Sequence, residues 1–347
     1  MMSKLRVGLT GLGNFGKLQC SILASLPNVE IVALCTRTPS KLEYFGERYN
    51  VKNLYTDHGE MVKRDDLEAV FIVSDEKLHF TQALQAIEAG KHVFLEKPMA
   101  LTYREAKIIA ESASNSGVYL QVGYVLRYET RHAVLKREID AGRMGDIVYM
   151  TLKRMCPRRS FESHAHRVHP VYWTGTHDID LAHWFMSSMV KSVYAWHSHA
   201  LGYENPESMV AMLKFNNGRI ATIETGWILP DGAPSTETSD FPRRVTISTS
   251  LEVVATRGYG NIRQPGSDFA IWSDEGTANP EMALWPEVNG RVGGALRTQL
   301  EDFVECVLQG KESSIASASD SVYAMKIADA IVKSATEEKE IEIEMET

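Results

Sequence analysis

The sequence predicts an α/β protein of two domains. Residues 1–124 read as a doubly wound parallel sheet, and residues 125–347 as an α+β domain with an open-faced, mostly antiparallel sheet. Three observations carry this expectation. The chain has 347 residues, too many for one average domain and enough for a sizeable core in each of two. Its first third alternates short, continuous apolar runs with helical patterns, as buried parallel strands and their crossover helices do. Beyond about residue 125 the extended segments follow one another directly, joined by turn residues.

The parallel strands are "LRVGLTG" (5–11), "EIVALCT" (30–36), "LEAVFIV" (67–73), "KHVFLEK" (91–97) and "GVYLQVGY" (117–124), with a helix at about 15–26 after the first. The second half opens with a helix from Arg131 to about Ala141, stopped at Gly142. Extended segments follow at 146–155, 190–201, 208–228 and 243–256. "NNG" (216–218) between two alternating runs is a hairpin signal. One face of this sheet is expected to carry helices and the other to meet a partner. The Pro- and Gly-rich stretches 229–242 and 258–267 read as surface loops. Helical patterns at 295–309 and 319–336 close the fold, and "EEKEIEIEMET" is a short edge strand or a solvated end.

Composition narrows the partners. A formal net charge of −8 gives no bulk attraction to phosphate backbones, so nucleic acid is not the expected partner. No apolar run reaches the ~18 residues of a membrane span. Cys20, Cys35, Cys156 and Cys306 are scattered without a Cys-x-x-Cys pair, which speaks against a zinc ribbon or a disulfide framework. Met1-Met2-Ser3-Lys4-Leu5-Arg6 leads into a strand pattern rather than a signal peptide, so a reducing cytoplasm is expected.

Gly11-Leu12-Gly13-Asn14-Phe15-Gly16 matches G-x-G-x-x-G in the required place, after a strand and before a helix. Gly11 permits the tight turn, Gly13 lets a pyrophosphate approach the backbone, and Gly16 lets helix and strand pack closely. The helix start then offers N–H groups and a positive dipole end to phosphate. About twenty residues on, an acid would bind the ribose 2′-hydroxyl of NAD. Here Thr36 and Arg37 stand there, with Lys41 near. Hydroxyl and guanidinium suit a 2′-phosphate, which favours NADP(H). NAD(H) stays open if Arg37 stacks on adenine instead.

"FLEKPMA" (94–100) ends a strand at the carboxyl edge where ligands sit in such sheets. With the glycine turn and the sheet-rich second half, it makes the chain resemble the Gfo/Idh/MocA family, the glucose–fructose oxidoreductase and inositol dehydrogenase group. The resemblance covers essentially the whole chain. It implies a Rossmann domain, an open-faced sheet domain, homodimers or homotetramers through that sheet, and an NAD(P)-dependent oxidoreductase acting on sugars, inositols or related polyols. It places Glu96, Lys97 and Pro98 at the nicotinamide, with Lys97 against the substrate, often after a cis bond. A buried ammonium suits the alkoxide charge that develops as hydride leaves carbon.

"VSDEKLHF" (73–80) stands where the family commonly reads Thr-Pro-Asn-x-x-His. Ser74 and His79 fit at the nicotinamide ribose, while Asp75 and Glu76 depart. "GYVLRY" (123–128) resembles Gly-Phe-Asn-x-Arg-Phe, which makes Tyr124 and Arg127 candidates for the substrate pocket, with an interdomain ion pair as the other reading of Arg127.

In "VYWTGTHDIDLAHW" (171–184) the resemblance makes His177 the second acid/base group, at a helix start where Thr174 and Thr176 are potential N-caps and Asp178 favours the helix dipole. The family has Asp four residues before that histidine; this chain has Trp173, an aromatic face for a sugar ring or a filler of the pocket. Metal ligation by this segment is geometrically poor, and His164, His166 and His169 upstream lack a second cluster, so no metal is expected. Their loop covers an active site or is simply solvated. The leading expectation is interconversion of hydroxyl and carbonyl on a polyol. The alternatives are a nucleotide-binding regulatory protein, and redox-assisted elimination or glycoside cleavage with recycled cofactor.

Overall fold

The computed structural model describes residues 4–158, 164, 166–230, 233, 247–266, 269–273, 276–279 and 282–344. The chain forms two compact units, Met1–Tyr128 with Leu284–Tyr323, and Glu129–Ala283 with Ala324–Thr347.

The first unit alternates strand and helix: β1 (Leu5–Thr10), α1 (Asn14–Ser25), β2 (Val29–Cys35), α2 (Pro39–Tyr49), β3 (Asn53–Tyr55), α3 (His58–Val62), β4 (Ala69–Ile72), α4 (His79–Glu88), β5 (His92–Leu95), α5 (Tyr103–Ser116) and β6 (Leu120–Val122). The strands form one parallel sheet in the order β3-β2-β1-β4-β5-β6. β4 is buried along its whole length, as a strand covered on both faces must be. The order reverses between β1 and β4, and the carboxyl ends beside such a switch point are where ligands bind. Thr10 pairs with Ile72 and Ile72 with Leu95, so Gly11, Val73 and Glu96 leave the sheet side by side. The helix Gly294–Gln309 belongs to this unit because Phe303, fully buried, closes an aromatic cluster with Phe71, Phe94 and Tyr119 at centroid distances of 5.1–5.6 Å.

The second unit contains α6 (Thr130–Asp140), β7 (Ile147–Pro157), α7 (Thr176–Met186), β8 (Val190–Ser198), β9 (Ser208–Phe215), β10 (Ile220–Leu229), β11 (Ser248–Ala255), β12 (Gly258–Gln264) and a tail strand β13 (Ile341–Glu342). Their sheet runs β12-β11-β7-β10-β9-β8-β13, antiparallel except for the β7–β10 pair. Along β9, Met209, Ala211, Leu213 and Phe215 are buried while Val210, Met212 and Lys214 are exposed, the period of two that one covered face imposes. Gly218 turns the β9–β10 hairpin at φ +82°, with Phe215 N–H on Arg219 O at 2.9 Å. The tail is an edge strand, one of the two expected readings.

The expected loop at 258–267 is a correction, because residues 258–264 form β12, paired residue by residue with β11. Its glycines answer to packing rather than to a turn. A Cβ on Gly260 would lie 2.6 Å from Leu135 Cδ1 of α6, and one on Gly258 would lie 3.0 Å from Met144. β3 was not foreseen, being three residues of mixed burial. Most of 229–242 and the start of the segment 243–256 lie outside the described residues.

Candidate active site

The glycine turn has the shape its spacing implies. Gly11 sits at φ +97°, where a Cβ would lie 2.4 Å from Val73 O, and a Cβ on Gly16 would lie 1.8 Å from Gly11 O. Gly13 differs, since a Cβ there meets nothing within 4 Å. The turn is therefore closed toward the protein at 11 and 16 and open at 13. Asn14 and Phe15 begin α1, whose first turn carries no acidic residue and no side-chain cap on its N–H groups. Uncapped N–H groups, a positive dipole end and a backbone bare at Gly13 fit a dinucleotide pyrophosphate. Phe15 packs edge-on against Trp285 at 5.6 Å, which braces the helix start.

The ends of the neighbouring strands are held by side chains. Thr36 N–H donates to Tyr55 O at 3.1 Å just past β2, and Lys41 lies in the first turn of α2. Arg37, with a side chain 72% exposed, pairs with Asp75 at 3.0 Å. Ser74 Oγ donates to Gln82 Oε1 at 2.6 Å. His79 is buried, with Nδ1 2.7 Å from Pro98 O and Nε2 3.1 Å from Ser74 O. Burial pulls its imidazole below the usual range, against the bonds to both carbonyls. A neutral ring has one N–H, and we assign it to Nδ1 on the shorter contact. His79 thus bonds the start of α4 to the Lys97–Pro98 turn, whose peptide is cis, while its Nε2 lies against Ser74 O.

Glu96 is buried at the end of β5. Its Oε1 accepts from Gln19 Nε2 at 2.6 Å and its Oε2 from Lys97 N–H at 3.2 Å. Burial pushes its carboxyl above the usual carboxylate range, and the Lys97 charge opposes that. Lys97 itself is half-buried. Tyr124 is buried just after β6. Arg127, 3% exposed, donates to Ile315 O at 2.9 Å and pairs with Asp320 at 2.8 Å. Its partner lies in the same unit, so the ion pair is not the interdomain one weighed above.

In the second unit the helix carrying His177 starts differently than expected. Residues Val171–Gly175 form a π-helical turn running directly into α7. The expected N-caps are a correction: Thr174 Oγ1 donates to Pro170 O at 3.1 Å and Thr176 Oγ1 to Tyr172 O at 3.2 Å. Preceding turns already occupy the N–H groups a cap would serve, so the hydroxyls turn back to carbonyls. Asp178 makes a buried two-point ion pair with Arg154 of β7, at 2.9 and 3.0 Å. Breaking such a pair leaves a buried charge and costs roughly 3–5 kcal/mol. Trp173 lies 4.9 Å from Trp227 and 4.6 Å from His164 between ring centroids. His177 is half-buried. Gln19 and Arg154 were not foreseen. A glutamine on the buried face of α1, among Leu18, Cys20, Ile22 and Leu23, is the signal that could have marked the first.

Among the described residues no group of three or more His, Cys, Asp or Glu side chains is arranged to hold a metal, and no helix is long and apolar enough to cross a membrane. Of the histidine-rich segment 158–170, residues 159–163 and 165 lie outside the described residues, while His164, His166 and His169 lie within them.

Two family models match the chain: the Gfo/Idh/MocA oxidoreductases' NAD-binding Rossmann fold over residues 5–124, and their C-terminal alpha/beta domain over residues 136–343. The chain belongs to this family. This Gfo/Idh/MocA protein is similar to scyllo-inositol 2-dehydrogenase (NAD(+)) of Bacillus subtilis (strain 168), at 25% identity over 90% of this chain and 88% of the relative. It is also similar to the solved myo-inositol 2-dehydrogenase of Lactobacillus plantarum, at 26% identity and TM-score 0.84, covering 99% and 100% of the two chains. The fold is shared with scyllo-inositol dehydrogenase of Lactobacillus casei with bound NAD(H) and scyllo-inositol, at 22% identity and TM-score 0.82, covering 98% and 99%. The chain is thus an oxidoreductase with an NAD-binding Rossmann domain.

The glycine geometry yields a two-sided test. Gly13→Ala should leave the melting temperature unchanged and weaken dinucleotide binding about tenfold or more, whereas Gly16→Ala should lower the melting temperature by several degrees. Calorimetry with and without cofactor reads both; equal effects of the two variants would contradict the open-at-13 cradle.

Proposed function

We propose that this protein transfers hydride between a nicotinamide dinucleotide and a hydroxyl-bearing ring carbon of an inositol or related sugar or polyol. The observation that carries the reading is the Lys97 turn, anchored from two sides by Glu96 and His79 at the carboxyl end of β5, in a chain whose relatives are named inositol dehydrogenases. Nicotinamide, when bound, accepts or supplies the hydride. Gly11, Gly13, Asn14, Phe15 and Gly16 hold the pyrophosphate, and Ser74, His79 and Pro98 shape the nicotinamide end through the bonds described above. Lys97 stabilises the charge on the reacting oxygen and relays its proton. His177 is the second acid/base group, steadied by the Arg154–Asp178 pair one residue on rather than by an aspartate four residues before. Trp173 offers an aromatic face to the substrate ring, Tyr124 borders the Lys97 side, and Arg127 braces the chain after β6. Lys97→Ala should lower kcat/KM by about 10²–10⁴ on a cyclic polyol while cofactor affinity stays within about twofold, read at the nicotinamide absorbance. Full turnover by that variant would end this mechanism.

At the ribose end, Thr36, Arg37 and Lys41 supply a hydroxyl and two cations with no acid among them, and they admit a 2′-phosphate. The proposal is use of NADP(H) alongside NAD(H), with Arg37 exchanging Asp75 for phosphate. Arg37→Ala should raise KM for NADP(H) about tenfold and leave that for NAD(H) within about twofold, in line with the loss of one charged contact. Equal shifts for both, or no NADP(H) use at all, would refute it.

The exposed face of the second sheet carries Trp196, Val210, Met212, Ile220 and Tyr259, each 43–58% exposed. Exposed apolar side chains gathered on one sheet face, here interspersed with the Lys153–Glu224 pair, suit association. The proposal is association into homodimers or homotetramers through this face. Light scattering should find the wild type as an oligomer and Met212→Glu with Val210→Asp as a monomer; a monomeric wild type would contradict it.

A further inference from the structure

Three elements enclose one carboxyl group beside Lys97. Glu96, 6% exposed, accepts from Gln19 of α1 at 2.6 Å and from the N–H of Lys97 at 3.2 Å. Gln19 is itself fully buried on the apolar face of α1. On the third side stands Gly123, just after β6, where a Cβ would come within 2.9–3.0 Å of the Glu96 carboxyl atoms. The fold therefore gives up a side chain at 123 to seat this carboxyl group. A buried carboxylate is costly unless it is hydrogen-bonded and paired with a counter-charge. Gln19 supplies a hydrogen bond, and Lys97 is the cation that acts on it. Electrostatic coupling is mutual, so Glu96 in its ionised form favours the ammonium form of Lys97 to the same extent that Lys97 favours the ionised Glu96.

We propose that Glu96, seated by Gln19 and made room for by Gly123, is a positioning residue that keeps Lys97 protonated for its work on the substrate oxygen, rather than a contact of the cofactor. The inference rests on the reading that Lys97 is the group at that oxygen. Other titratable groups bear on the same turn from α4 and the segment before it: the Lys97 charge disfavours a protonated His79, and Glu76 favours one. The two oppose each other, and His79 reaches the turn through Pro98 O. Glu96 is bonded directly to the backbone of Lys97 itself.

The test reads Lys97 itself. The intact protein is labelled at trace level with acetic anhydride across the alkaline range, and Lys97 acetylation is followed by peptide mass spectrometry. Glu96→Gln should lower the apparent pKa of Lys97 by about one unit, seen as about tenfold faster labelling near neutrality. Gln19→Leu removes the bond but keeps the carboxyl, so Glu96 takes a proton more readily and Lys97 moves the same way by less. Labelling within about twofold of wild type in the variants that fold overturns the proposal, and Gln19→Leu decides if Glu96→Gln does not fold. If labelling shifts and the pH profile of kcat/KM shifts with it, both assignments hold. If labelling shifts while the pH profile stays, Glu96 sets the charge of Lys97 and the catalytic reading of Lys97 fails.

Discussion

The close approach of α1 to the end of β1 is the constraint on which the first unit's chemistry depends. A Cβ on Gly16 would stand 1.8 Å from Gly11 O, so helix and strand meet at a distance no other residue tolerates. That contact does two things at once. It aims the uncapped N–H groups of α1 past the bare backbone of Gly13. It also brings Gln19, three residues on and on the same side of the helix, onto Glu96 at 2.6 Å. The cradle for phosphate and the seat beside the lysine are thus two ends of one packed helix. Parallel register completes the arrangement, because Gly11, Val73 and Glu96 leave adjacent strands together.

The second unit solves its positioning problem by other means. The family's aspartate four residues before the histidine is Trp173 here, and an indole cannot orient an imidazole by charge. The π-helical turn Val171–Gly175 carries that indole into a cluster with Trp227 and His164. Directly after His177, Asp178 is locked to Arg154 of β7 by two hydrogen bonds. Packing on one side and a buried ion pair on the other hold the start of α7, which is the service an aspartate at 173 would have rendered to ring orientation.

Much of the fold was legible in the sequence, for reasons that differ by element. Buried parallel strands announce themselves as unbroken apolar runs, and Gly11, Gly13 and Gly16 have spacing that few other structures require. Glu96-Lys97-Pro98 was legible only through family resemblance, and nothing in its letters says that Glu96 faces inward. β12 was misread because Gly258 and Gly260 signal a turn by composition, whereas here they clear space for Met144 and Leu135. Thr174 and Thr176 were misread as caps because the π-helical entry leaves no mark in residue type. Gln19 and Arg154 escaped notice because their partners, Glu96 and Asp178, are 77 and 24 residues away, and long-range polar pairs have no local pattern.

The account stands or falls on net hydride transfer to carbon. The most direct measurement uses reduced cofactor deuterated at the transferring carbon of the nicotinamide, with a keto-inositol as substrate and mass spectrometry of both products. The account predicts one deuterium at the new carbinol carbon for each cofactor oxidised. Deuterium retained in unconsumed cofactor while the substrate is cleaved, eliminated or left untouched would contradict it.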